Sequence, residues 1–204
     1  AGPGYGMADG FNKDIGEQVQ AFESILLSSQ MIREALERAQ SLDIGDYYIG
    51  AGCIAQTVWN YLFDNPPEYG IKDIDFVYFD DTQLDYASEN EISKKVKRLY
   101  ADIEIETDVK NQARVHLWYK SRFGYEIAPY TSLEAALDSW PTTATAIGVR
   151  KEARGLKVYA PFGLNDLFGK IVRANKTQIT KQIYDDKAVD WLGKWPGLIV
   201  IPWD

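Results

Sequence analysis

The chain has 204 residues, 46% hydrophobic and 25% charged, a balance that suits one globular domain. Its net charge of −8 at pH 7 supplies no general basic field for nucleic acid. With one cysteine, Cys53, and one histidine, His116, it excludes an intramolecular disulfide, a cysteine zinc cluster and a multi-histidine metal site. A metal, if one binds, must be held by oxygens, which favours Mg²⁺ or Mn²⁺.

No apolar run approaches membrane-span length and no signal-peptide pattern opens the chain, so a soluble, cytoplasmic protein is expected. Ala1 to Gly6, ahead of Met7, reads as a cloning remnant. Residues 7–204 are expected to form one domain, with N-terminal helices over 14–42, a core over 47–125 and a C-terminal part over 126–204.

In chain order, Val19, Phe22, Ile25, Leu26, Ile32, Leu36 and Ala39 recur at helical spacing, predicting one or two helices with "LSSQ" as a break. Tyr47 to Ile49 reads as a strand ending in glycines, and a helix opens immediately after Gly52. "PPEYG" is a loop and "KDIDFVYFD" a strand; "SENEISKKVKRLYA" is an amphipathic helix with Ser88 or Asn90 as N-cap. "DIEIETDV" alternates strictly, which predicts a strand with Asp102, Glu104, Glu106 and Asp108 on one face. "SRFGYEIAPY" is a loop and "SLEAALDSW" a helix capped by Ser132. Two short strands, "ATAIGVRK" and "KVYAPFG", precede the helices "LNDLFGKIVRA" and "TKQIYDDKAVDWLGKWPG", and "LIVIPW" is an extended end. The pattern is that of an α/β core with helical additions at both ends.

Side chains on a strand alternate with period two, so Asp73 and Asp75 of "IKDIDFVYFDD" point the same way, about 7 Å apart along the chain. Like charges so placed resist ionisation unless something positive sits between them, and a divalent metal is the simplest such occupant. Gly50 and Gly52 form a tight turn opening a helix, where backbone N–H groups and the helix dipole favour a phosphate. The turn matches neither the Walker loop nor the dinucleotide fingerprint. A later acidic strand ending at Asp108 supplies a third carboxylate, and three carboxylates beside a phosphate turn suit a two-metal site.

Gly50–Ala51–Gly52 opening a helix, followed by "DID" on the next strand, resembles the polymerase-β-type nucleotidyltransferase superfamily. "GAGCIAQTVWN", "DVKNQARVHLWY", "APFGLNDLFGKIVRANK" and "WPGLIVIPW" are similar to a little-characterised branch of it, from about Tyr47 to the C-terminus. The resemblance implies a mixed sheet flanked by helices and metal-dependent transfer of a nucleoside monophosphate from an NTP, with pyrophosphate leaving. Carried onto this chain, Asp73 and Asp75 take the metal-binding positions and Asp108 the third, with Glu106 or Glu104 as substitutes on the same face. Ala51 stands where the superfamily usually has a second Gly or Ser, or Cys53 does if the register starts at Gly52, and "PPEYG" lengthens the gap to Asp73.

Among the remaining candidates, Asn111 and Arg114 suit phosphate or ribose contact, or pairing with the acidic row. Lys170 and Arg173, spaced along one expected helix, suit the triphosphate, or plain solvation. His116 reads as a hydrogen-bonded structural histidine, Cys53 as a small hydrophobe, Asp166 as a helix N-terminal acid, and Trp191, Trp195 and Trp203 as core. The expected partner is an NTP, and the acceptor a small molecule or a protein, with long nucleic acid disfavoured by the net charge and no membrane involved. Two rivals stand beside transfer: a non-catalytic nucleotide-binding or interaction module, and a metal-dependent phosphohydrolase.

Overall fold

The computed structural model describes residues 10–204, so Ala1 to Gly6 and Met7 lie outside the described residues. Helix α1 (Ile15–Ser28) is capped by Asp14, whose carboxylate accepts from the Glu17 N–H. Ser29 closes α1 and opens α2 (Gln30–Ala39), its hydroxyl accepting from the Ile32 N–H at 3.3 Å, so the break expected at "LSSQ" falls on one residue. Strand β1 (Tyr47–Gly50) runs into α3 (Gly52–Leu62), and β2 (Asp73–Tyr78) follows the loop. Helix α4 (Tyr86–Leu99) begins earlier than expected. Its N-cap is Asp85, which accepts from the Ser88 N–H; neither Ser88 nor Asn90 caps it, because Asp85 reaches the free N–H groups one turn sooner.

Strand β3 (Glu106–Asn111) is shorter at its start and longer at its end than the alternation suggests. Residues 101–105 form turns, Asp102 is drawn to Arg38 on α2 at 2.9 Å, and Glu104 is exposed. The expected four-acid strand face is therefore reduced to Glu106 and Asp108. A 3₁₀ turn (Gln112–Arg114) leads into α5 (Val115–Phe123), a helix the sequence pattern did not disclose. Then come α6 (Leu133–Leu137), capped by Ser132, the hairpin β4 (Gly148–Glu152) and β5 (Gly155–Tyr159), and α7 (Asn165–Phe168). The helix expected over "LNDLFGKIVRA" stops after one turn, since Lys170 has φ of 57° and Ile171–Val172 forms strand β6. Helix α8 (Lys181–Lys194) and strand β7 (Ile199–Val200) complete the chain, β7 pairing parallel with β6.

The main sheet has order β3-β2-β1-β4-β5. Only β2 and β3 run parallel, joined by α4 as crossover; the other neighbours are antiparallel, so the sheet is mixed. Its two faces are unequal. Ile49, Ile74, Phe76 and Val109 point into the main core, which α1, α2, α3 and α4 close with Phe22, Leu36, Trp59 and Val96. Each such large side chain contributes about 1.5–3 kcal/mol on burial. The opposite face carries a small cluster, Tyr48 and Val77 against Leu133 and Leu137. Asp73, Asp75 and Val77 share that thinly covered face by alternation, which leaves room for a cleft.

Helix α8 is fixed at both ends. The Tyr184 hydroxyl bridges to the Val172 and Ile201 carbonyl oxygens, at 2.8 and 2.6 Å. At its far end the Trp195 indole N–H donates to Asn60 Oδ1 on α3 at 2.8 Å.

Candidate functional site

Parallel pairing places Asp75 opposite Asp108 and Asp73 opposite Glu106. Asp73, Asp75 and Asp108 each bring a carboxylate oxygen within 4.8 Å of the other two. Glu104 and Glu106 are exposed and stand outside this cluster among the described residues. Burial, then the Asp73 and Asp108 carboxylates, pushes the Asp75 carboxyl well above its ordinary range. Asp73 is raised too, by burial and then Asp108, with Lys110 and Lys72 pulling back. Lys110 relieves part of the repulsion, its Nζ lying 2.8 Å from Asp108 Oδ1.

The phosphate-turn candidates sit beside this cluster. Gly50 pairs with Asp75 across β1 and β2. A Cβ at Gly50 would come within 2.7 Å of the Ile147 carbonyl oxygen and 3.2 Å of the Trp140 ring, so only glycine fits. Gly52 opens α3, and a Cβ there would lie 3.7 Å from Asp75 Oδ2. Ala51 between them holds φ of 52° and ψ of −129°, a left-handed backbone that costs an L-residue about 1–3 kcal/mol. No side chain caps α3, so its first N–H groups face the cleft without side-chain partners.

The cleft has a volume of about 570 Å³. Its walls include the three aspartates, Ala51, Gly52 and Gln56, together with Lys72, Lys110, Arg122, Lys187 and Lys194. This collection of cations inside an acidic chain was not singled out in the sequence, because Lys72, Arg122 and α8 are brought together only by folding. Lys187 projects from α8, and burial, then the charge of Arg122, lowers its ammonium pKa. Three clustered carboxylates with no nitrogen or sulfur donor among them fit a hard divalent cation.

Several expected contacts are not assembled here. Asn111 is buried at the end of β3, exchanging hydrogen bonds with the Asp80 backbone and accepting from the Ala113 N–H. Arg114 pairs with Glu89 at 2.6 Å and donates to the Leu84 carbonyl oxygen. Neither lines the cleft; both spend their polar groups tying β3 to α4 and its approach. Lys170 lies outside it as well, its Nζ 5.0 Å from the Phe63 ring, and Arg173 pairs with Asp166 at 3.0 Å. Because α7 ends before Lys170, these two cations never share a helical face.

Cys53 is buried and its thiol donates weakly to the Gly50 carbonyl oxygen, with burial pushing its pKa up. His116 departs from the hydrogen-bonded reading: its Nδ1 is buried without a partner among the described residues. Trp195 is core, whereas Trp191 belongs both to the core and to the cleft wall, and Trp203 is half-buried beside Tyr184.

A mixed sheet that presents three clustered carboxylates beside an uncapped helix start is the architecture of a nucleotidyl-transferring head. A structure solved by NMR and described as a CCA-adding enzyme head domain superposes with a TM-score of 0.75 at 25% identity, covering 90% of this chain and 95% of that one. Residues 37–200 match the family model described as nucleotidyltransferase, and the chain belongs to that family of enzymes. Comparison with curated protein sequences finds no match. No helix among the described residues is long and apolar enough to cross a membrane.

Proposed function

We propose that this protein transfers a nucleoside monophosphate from an NTP to a hydroxyl-bearing acceptor, with pyrophosphate leaving. The observation that carries the reading is the Asp73–Asp75–Asp108 cluster on the floor of a cleft with cationic walls. Those three carboxylates would hold Mg²⁺ or Mn²⁺, which when bound neutralises charge on the α-phosphate and the leaving group. The free N–H groups at the start of α3, with Lys72, Lys187 and Lys194, bind the triphosphate and orient it. Gly50 and Gly52 let that backbone approach closely. Asp108, which pairs with Asp75 across β2 and β3 and lies beside Lys110, takes the acceptor proton in this reading.

The test is calorimetric titration of each common NTP, with and without Mn²⁺, into wild type and Asp75→Asn, followed by product analysis. The reading expects manganese-dependent binding that the substitution abolishes, and pyrophosphate release once an acceptor is supplied. Binding indifferent to both manganese and substitution would instead support a nucleotide-binding module. Orthophosphate or free NMP without an adduct would support a phosphohydrolase.

A further inference from the structure

A second, smaller pocket of about 200 Å³ opens off the cleft and shares Lys110, Trp140, Pro141 and Lys187 with it. It is below the ~300 Å³ at which drug-sized sites begin, so it suits one ring system rather than a whole nucleotide. Aromatic rings line it, Trp118, Tyr119 and Phe123 from α5 and Tyr130 from the following loop. No acid lines it, and its cations are the two lysines it shares with the cleft. Gln112 also lines it; the residue is 5% exposed, and its side-chain amide makes no hydrogen bond to the described residues. Among the described residues the buried unpaired side-chain groups are Trp59 Nε1 and His116 Nδ1, so the Gln112 amide is open to the pocket, where water or a ligand can bond it.

The pocket's place in the fold decides what enters. Across the sheet the order is β3, β2, β1. The uncapped start of α3 follows β1, the carboxylates lie on β2 and β3, and the pocket borders the end of β3 through Lys110, Gln112 and the α5 rings, with Trp140 as its wall towards Gly50. If the triphosphate lies against α3, the leaving pyrophosphate is on the β1 side of the aspartates. An in-line displacement brings the attacking oxygen from the opposite, β3 side, where Lys110, Gln112 and the α5 rings line the pocket.

We propose that this pocket seats the acceptor, a small molecule whose hydroxyl is carried on an uncharged aromatic or heteroaromatic ring. The inference rests on the transferase reading above and names its second substrate class. The ring packs among the α5 aromatics and the Gln112 amide bonds the hydroxyl or a ring heteroatom. The acceptor oxygen forms a bond to the α-phosphorus as the bond from phosphorus to the α,β-bridging oxygen breaks. Pyrophosphate leaves and the hydroxyl proton passes to Asp108.

The test uses phenol and indole as probes, observed by saturation-transfer NMR, with benzoate and cyclohexanol as controls. Phenol and indole are expected to bind in preference to both controls. Ile183→Trp, which fills the pocket from α8, is expected to weaken both probes about tenfold, and Gln112→Leu to weaken phenol about tenfold, the loss of one buried hydrogen-bond partner. Manganese–NTP titration of each variant reports the cleft separately and serves as the folding control. Probe binding that persists when the NTP is present supports an acceptor site. Displacement of indole by NTP would mean that the pocket holds the nucleobase, and probe binding unaltered in both folded variants would mean that the ring sits elsewhere; either overturns the inference. Failure of NTP to bind wild type at all would strike the transferase reading instead, whatever the probes do.

Discussion

Asp75 on β2 and Asp108 on β3 are direct register partners in the one parallel pair of the main sheet. Their separation is therefore fixed by the ladder rather than by side-chain choice, and the charge between them is stored in the backbone geometry. In the metal-free protein, Asp75→Asn is expected to raise the melting temperature at neutral pH. Each kcal/mol of relieved repulsion is worth about 2–4 °C in a chain of this size. Thermal denaturation of both forms in a chelating buffer checks this, and a lowered melting temperature would contradict it.

The same carboxyls set a pH dependence. Asp73 and Asp75 have raised values in the folded state, so the folded protein binds more protons than the unfolded chain. Their contribution to stability is complete below the unfolded aspartate pKa of about 4 and is lost as pH rises through the raised values. Metal-free stability should thus fall as pH rises from about 4 towards neutrality, and Mn²⁺ should reverse the fall. Loading the site should also release protons, measurable by calorimetry in buffers of different ionisation heat.

Lys187 is an exposed residue of α8 that lines the cleft. Lys187→Met keeps the stem and removes the charge of an exposed residue, so it is expected to change the stability of the free protein by less than about 0.5 kcal/mol while weakening NTP binding roughly tenfold. Denaturant midpoints and NTP titration on the same preparation separate the two effects.

At the turn before α3, Ala51→Gly relieves the left-handed strain and is expected to stabilise by about 1 kcal/mol. Gly50→Ala drives a methyl group into the Ile147 carbonyl oxygen, which already accepts from the Ala51 N–H, and should cost about 2 kcal/mol. Equal denaturant midpoints for the two variants would refute this.

Arg114 and Glu89 are each 12% exposed at the side chain. Arg114→Ala leaves a carboxylate uncompensated, so a loss of about 3 kcal/mol is expected, with Mn²⁺–NTP affinity unchanged in the folded fraction. A weakened affinity at full folding would return Arg114 to substrate contact.

The acidic pair was legible because strand alternation alone puts Asp73 and Asp75 on one face, and the glycine turn was legible from its place before an apolar helical repeat. The third carboxylate was visible only as one of several acids in an alternating run, since nothing local shows that residues 101–105 turn instead of pairing. Helix α5 was hidden because its apolar and polar residues do not segregate to faces, and α7 was overestimated because a pairing partner 28 residues away, β7, claims Ile171 as strand. The cationic walls could not be read at all. Lys72, Arg122 and Lys187 are ordinary surface lysines and arginines until the chain brings three separate segments together.

Helix α3 touches both sides of the cleft. Its first residue is part of the glycine turn, and its Asn60 holds Trp195 beyond the end of α8, next to Lys194, which itself donates to the Gly70 carbonyl oxygen. An 11-residue helix is about 16 Å long, so α3 works as a strut between the glycine turn and the lysine wall. The opposite rim is braced too, by the Asn175 amide donating to the Asp138 and Trp140 carbonyl oxygens. A nucleotide entering such a braced cleft gives up its own freedom rather than the protein's, so the ordering cost of binding falls on the ligand.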